Sequence, residues 1–150
     1  MTRAVNIGLI GAGTVGGGVV QALKRNGALM ASRLGVRLRV TRVAVRSLRK
    51  KRDFKVPQSA LTTDWREVVN DPKVDLVVEL IGGTTTAKDL VLAALRAGKP
   101  VVTANKALLA FHGEKLFAAA EKSGANLYYE ASVAGGVPII KVIREALVGN

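Results

Sequence analysis

Three glycines, Gly11, Gly13 and Gly16, stand in the order G-x-G-x-x-G directly after the apolar run Val5-Asn6-Ile7-Gly8-Leu9-Ile10. A strand that ends in such a turn and runs into a helix brings bare backbone against a pyrophosphate. The first glycine permits the tight turn, the second leaves room for the phosphate, and the third lets the helix pack closely on the strand. Thr14, Val15 and Gly16 would form the first helical turn, whose N–H groups and partial positive charge suit an anion. Six glycines within residues 8–18 would also suit a plain flexible turn. The apolar strand before the motif and the helical spacing after it favour the nucleotide reading. Val15, Val19 and Leu23 recur at i, i+4 and i+8, one face of a helix that can close at Asn26-Gly27.

In such a unit the end of the second strand meets the adenosine ribose, where a carboxylate binds the 2′-hydroxyl of NAD. Here the second strand reads as Arg37 to Arg46 and runs out at Val45-Arg46-Ser47 with no acid nearby. A guanidinium forks onto a 2′-phosphate instead, so the preference is expected to run to NADP, with NAD as the lesser alternative. Arg46 is the first candidate ligand, Lys50 or Arg49 a second cation, and Ser47 a further donor. The competing reading is that these are solubilising bases.

The elements that must carry these residues follow from periodicity. Leu38 and Val40 alternate with arginines before Val43-Ala44-Val45 becomes continuously apolar, and the alternation slips at Arg42. Residues 47–63 are polar and hold Pro57, as an exposed connection would. Asp64 caps a short helix over Trp65 to Val69, and Val74 to Ile81 reads as a strand apolar on both faces. Thr84 to Ala97 is a helix stopped by Gly98 and Pro100, Val101 to Thr103 a strand, and Glu114 to Ser123 a helix closed by Gly124. Asn126 to Val133 is a further strand, and Pro138 opens a last helix. Strands alternating with helices give an α/β fold, a Rossmann-type doubly wound parallel sheet with helices on both faces, over residues 1–150. The last helix carries Ile139, Ile140, Val142, Ile143, Ala146 and Leu147 on more than one face. An oligomer interface or a further domain is expected to cover it.

Composition narrows the chemistry. The chain of 150 residues is 49% hydrophobic, enough to bury a core. It has no cysteine and one histidine, which removes thiolate chemistry and makes a zinc site improbable. With no apolar run long enough for a bilayer and no leader pattern, a soluble cytoplasmic protein without membrane partners is expected. The net charge of +12 is concentrated in residues 1–63, where Asp53 is the single acid. Arg33 to Lys55 is a basic stripe without interleaved aromatics, which argues against nucleic acid as a partner while leaving attraction for polyanions at low salt.

Four segments together resemble the nucleotide-binding domain of the homoserine dehydrogenases. They are Gly8-Leu9-Ile10-Gly11-Ala12-Gly13-Thr14-Val15-Gly16, Val78-Glu79-Leu80-Ile81-Gly82-Gly83, Val102-Thr103-Ala104-Asn105-Lys106-Ala107-Leu108-Leu109-Ala110 and Tyr129-Glu130-Ala131-Ser132-Val133-Ala134-Gly135-Gly136-Val137-Pro138-Ile139-Ile140. The last two are far more specific than the glycine loop. The resemblance implies an NAD(P)-dependent oxidoreductase that interconverts L-homoserine and L-aspartate 4-semialdehyde, on the route to threonine, isoleucine and methionine. It also implies that the substrate-binding carboxylates, the lysine regarded as proton donor and the surfaces of a homo-oligomer lie in a further domain beyond Asn150. The chain alone is then expected to be inactive.

Lys106 stands just past the strand Val101 to Thr103, at the sheet edge where open α/β folds bind ligands. By resemblance it contacts the nicotinamide end of the cofactor and supports catalysis, its ammonium steadying the oxygen that becomes an alkoxide. Thr84 and Thr103 sit at equivalent strand ends as nicotinamide-side candidates. The stretch from Glu130 to Pro138 resembles the family's cation loop, which implies a sodium ion among the carbonyl oxygens of Glu130, Val133, Gly135 and Val137; spacing alone favours an ordinary turn. His112, Trp65, Tyr128 and Tyr129 read as packing or surface residues. Two other functions compete with the enzyme: a non-catalytic NADP-binding regulatory module, and a nucleic-acid binder using the basic stripe.

Overall fold

The structure, a computed structural model, describes residues 3–146. Its strands are β1 (Ala4–Ile10), β2 (Arg37–Ala44), β3 (Leu61–Thr62), β4 (Leu76–Glu79), β5 (Val101–Thr103) and β6 (Leu127–Tyr128). They form one six-stranded sheet in the order β3-β2-β1-β4-β5-β6. Helices α1 (Thr14–Leu34), α2 (Trp65–Val69), α3 (Thr85–Arg96), α4 (Lys106–Ser123) and a short α5 (Ile139–Lys141) follow β1, β3, β4, β5 and β6 in turn, and a 3-10 turn over Gln58–Ala60 stands between β2 and β3. This is the expected Rossmann-type order, and the direction of winding reverses between β1 and β4, the switch point where open α/β sheets take ligands. The chain divides into two compact units, Met1–Ile81 and Gly82–Asn150.

In the first unit β1 pairs in parallel with β2 along its length and with β4 from Ile7 to Ile10. Leu9, Val43 and Val77 are fully buried. The slip in the β2 alternation is a bulge: Ile7 pairs with Val40 and Gly8 with Arg42, so Thr41 is the extra residue. Beyond the bulge Arg42 ties β2 to the region of α2, 3.3 Å from Glu67 and 3.2 Å from Asp71. The strand ends at Ala44 rather than Arg46, and a short edge strand, β3, appears inside the connection expected to be irregular.

Helix α1 departs from expectation twice. It runs through Gly27 to Leu34 and stops at Gly35, whose φ of 69° and N–H to the Ala31 carbonyl at 2.9 Å make the left-handed cap. An interior glycine weakens a helix by only about 1 kcal/mol, and the alanine- and leucine-rich segment after it carries the helix on. The face set on the core is also not Val15-Val19-Leu23: the buried residues are Gly16, Gly17 and Val20, and Val15 is 61% exposed. Glycine lets this turn lie against the end of β1, which displaces the valine stripe to the side.

In the second unit α3 turns Ala87, Leu90, Val91, Ala94 and Leu95 inward, all fully buried. Helix α4 begins at Lys106, eight residues before the predicted Glu114, because Asn105 caps it: its side chain accepts the Leu108 N–H at 3.0 Å. Strand β6 is only Leu127–Tyr128, paired with Val101 and Val102, and the predicted continuation to Val133 is instead a 3-10 turn over Glu130–Ser132. Pro138 is the residue before α5, and Val142–Ala146 winds as a π-helix. Val137, Ile139, Val142 and Ile143 are exposed. Leu147, expected on the last helix, lies outside the described residues. Among the described residues no helix is long and apolar enough to cross a membrane.

Candidate functional site

The glycine loop follows β1 at the switch point. Gly11 has a φ of +100°, and a side chain there would lie 2.6 Å from the Leu80 carbonyl, so the turn admits only glycine. Its N–H donates to the Ala44 carbonyl at 3.0 Å, tying the loop to the end of β2. A Cβ on Gly16 would overlap the Gly11 carbonyl oxygen, whereas one on Gly13 would meet nothing within 4 Å. Gly11 thus makes the tight turn, Gly16 permits the close approach of helix and strand end, and Gly13 faces open space.

The start of α1 is suited to an anion. No side chain caps it and its first turn holds no acid, although Asp64 caps α2 and Asn105 caps α4. The N–H groups of Thr14, Val15 and Gly16 precede any intrahelical partner, and the partial positive charge of the helix end is uncompensated. Thr14 and Val15 are exposed. Room at Gly13 beside an uncapped helix end fits a pyrophosphate.

Arg46, Ser47, Arg49 and Lys50 are exposed after β2, and among the described ion pairs none includes Arg46, Arg49 or Lys50. They follow the end of β2, the part of a Rossmann-type unit that meets the adenosine ribose. Glu79 escaped the sequence reading. It is fully buried in a strand expected to be apolar, and its Oε1 accepts the Ile81 N–H at 2.9 Å, shaping the turn against which Gly11 lies. An acid flanked by apolar residues near the end of the run Val-Asp-Leu-Val-Val-Glu-Leu-Ile was the available signal.

The second unit gathers Thr84, Thr103, Asn105 and Lys106. Lys106 is the exposed first residue of α4. A cation there opposes the helix dipole, an arrangement that a structural role would not select. Thr84 is partly exposed at the start of α3, and its hydroxyl does not cap that helix. Thr103 is fully buried, and its hydroxyl accepts the Asn105 N–H at 3.1 Å, which shapes the turn before Lys106. Asn105, unassigned from sequence, holds the site together by donating its amide to the Gly83 carbonyl at 2.7 Å while capping α4.

The Glu130 loop is closed by its own side chain. The Glu130 carboxylate accepts the N–H groups of Ile140 at 2.9 Å and Lys141 at 3.0 Å. Ala134 and Gly136 have φ of 46° and 91°, which curls the chain between them. The Glu130 carbonyl accepts the Val133 N–H and the Val137 carbonyl the Ile139 N–H, each retaining a second lone pair. Carbonyl oxygens at Glu130, Val133, Gly135 and Val137 fit a hard monovalent cation in kind. Among the described residues no cluster of three or more His, Cys, Asp or Glu could hold a metal ion. Trp65 stacks under the Arg66 guanidinium at 4.6 Å and Tyr129 packs edge-on to Phe117 at 5.2 Å, the packing roles expected of them.

Residues 11–130 match the model of the homoserine dehydrogenase NAD-binding domain. The chain belongs to the homoserine dehydrogenase family. It is 47% identical to the homoserine dehydrogenase of Pseudomonas aeruginosa over 148 residues, covering 99% of this chain and 34% of that protein. It is 43% identical to that of Bacillus subtilis over 145 residues, covering 97% and 34%. A crystal structure of a homoserine dehydrogenase from Thiobacillus denitrificans superposes with a TM-score of 0.88 at 46% identity, over 99% of this chain and 34% of that one. A hyperthermophilic archaeal homoserine dehydrogenase in complex with NADPH gives a TM-score of 0.77 at 27% identity, over 98% and 50%. The chain spans about a third of the length of the curated relatives it matches.

Proposed function

We propose that this chain is the cofactor-binding part of a cytoplasmic enzyme that interconverts L-homoserine and L-aspartate 4-semialdehyde, with NADP(H) preferred over NAD(H), in the synthesis of threonine, isoleucine and methionine. The observation that carries the cofactor reading is the uncapped, acid-free start of α1 beside the open space at Gly13. Thr14, Val15 and Gly16 hold the pyrophosphate through their N–H groups. Arg46 forks onto the 2′-phosphate with Lys50 as the second cation, since no carboxylate is present there to accept a ribose hydroxyl.

When bound, the nicotinamide supplies or accepts the hydride. Lys106 faces the developing charge: its ammonium donates to the substrate oxygen as carbonyl becomes alkoxide, which lowers the barrier only if the charge is in place before reaction. Thr84 offers a hydroxyl to the nicotinamide side, and Thr103 and Asn105 hold the Lys106 turn. The carbonyls of Glu130, Val133, Gly135 and Val137 would hold a sodium ion that stiffens the loop before α5. Groups that hold the amino acid, and the homo-oligomer surface, belong to the remainder of the whole protein.

Titration of the chain with NADPH and NADH, followed by fluorescence or calorimetry, tests the cofactor reading. A charge-assisted pair to phosphate contributes about 1.5 to 3 kcal/mol, so NADPH should bind roughly tenfold or more tightly. Arg46→Ala should remove most of that difference. Equal affinities in the parent chain would dismiss Arg46 as the selective residue.

A further inference from the structure

Arg49-Lys50-Lys51-Arg52 reads as a run of solvated charge, yet its last member behaves unlike the other three. Arg49, Lys50 and Lys51 are exposed, whereas Arg52 is half-buried and turns back into its own loop. One terminal nitrogen of its guanidinium donates to the Lys50 carbonyl at 2.9 Å, and the other donates to the Ser47 carbonyl. The loop is anchored on both sides of this brace. Before it, the Val45 N–H donates to the Thr62 carbonyl at 2.9 Å. After it, the Gln21 amide of α1 donates to the Asp53 carbonyl at 3.3 Å, and the Phe54 ring packs over Gly17, 3.2 Å from where a Cβ would stand.

We propose that Arg52 is a positioning residue for cofactor selectivity: by bridging the Ser47 and Lys50 carbonyls it holds the loop in the shape that presents Arg46 and Lys50 to a 2′-phosphorylated nucleotide. This rests on the assignment of Arg46 to the 2′-phosphate. A loose loop has to be ordered at the moment of binding, and that entropy loss subtracts from affinity. Only a ligand that touches the loop gains from its being ordered beforehand, so the brace favours NADPH and is neutral for NADH. The planar fork of a guanidinium reaches two carbonyls together, which a single ammonium does not reproduce. Both terminal nitrogens face backbone oxygens, so Arg52 acts through Arg46 and Lys50.

Arg52→Ala and Arg52→Lys are made in the chain, alone and with Arg46→Ala, and Kd is measured for NADPH and NADH. Cleavage by trypsin after Arg49, Lys50 and Lys51 is timed without cofactor. Both single variants should bind NADPH roughly five- to tenfold more weakly with NADH affinity unchanged, and should be cut faster than the parent. In the Arg46→Ala background each should weaken NADPH by less than it does in the parent, since only Lys50 is then left to be presented. Retention of the parent's discrimination by Arg52→Lys would show that charge suffices and would overturn the proposal, as would an undiminished NADPH affinity in Arg52→Ala. Additive losses with Arg46→Ala would make Arg52 a direct phosphate ligand and overturn it too. A parent chain that does not discriminate overturns the Arg46 assignment and this proposal together. Loss of discrimination in Arg46→Ala but not in the Arg52 variants overturns this proposal alone.

Discussion

Gly13 and Gly16 are three residues apart and serve opposite ends. A side chain on Gly13 enters open space, so Gly13→Val should fold with nearly the parent's thermal stability and lose NADPH binding, because the valine occupies the phosphate's place. Gly16→Ala should instead lose stability, by about 1 to 3 kcal/mol, since its methyl meets the backbone of Gly11 and neither can give way. Thermal melts beside NADPH titrations separate the two, and parent-like NADPH affinity in Gly13→Val would refute the glycine-loop reading. Lys106 makes a third case. As a cation at the first position of α4 it works against the helix dipole. Lys106→Ala in the full-length protein should therefore leave the melting temperature unchanged or slightly raised while kcat falls roughly 10²-fold. Parent values of kcat and of KM for both substrates would reduce Lys106 to a surface residue.

Helix α1 shows how an element can carry a site at one end and weakness in its middle. Its first turn is uncapped and glycine-rich, and its last turn is closed by Gly35. Gly27 serves neither end: its φ is ordinary and nothing lies within 4 Å of where a Cβ would stand. Gly27→Ala should accordingly stabilise the chain by about 0.5 to 1 kcal/mol, seen as a higher denaturant midpoint at unchanged NADPH affinity. Helix α4 solves its start differently, since Asn105 caps the helix and ties it to Gly83 with one side chain. That double use fixes the backbone of the residue before Lys106.

At the scale of the molecule, the whole net charge of +12 lies in residues 1–63, within the unit that carries the glycine loop, and a field of that sign attracts an anionic ligand. The chain is expected to bind NADPH but not to oxidise homoserine, since binding without orientation of the second reactant forfeits an advantage on the order of 7 kcal/mol or more. A coupled assay with homoserine on the purified chain checks this, and robust turnover would place the acid, base and substrate groups within these residues. Val137 and Ile143, 57% and 50% exposed, should make the isolated chain self-associate with concentration, which light scattering would register.

Local chemistry made part of this protein legible from its residues alone. The strand-glycine-helix turn, the Asp64 cap and Val101 to Thr103 as a strand all depend on neighbours in sequence, and the structure places each as read. The alternation that slips at Arg42 even announced the bulge at Thr41. What tertiary structure decided was whatever depends on partners far along the chain. Glycine at 27 signals a stop in sequence, yet α1 continues because its capping glycine comes eight residues later. Tyr129 to Val133 has strand-like residues, but Ser132 reaches the Thr103 carbonyl at 2.8 Å and Glu130 turns to cap α5, so the segment leaves the sheet. Burial of Thr103 and Glu79, and the inward turn of Arg52, follow from the same cause. A side chain's type sets which hydrogen bonds it can make, and only the fold determines which of them lie within reach.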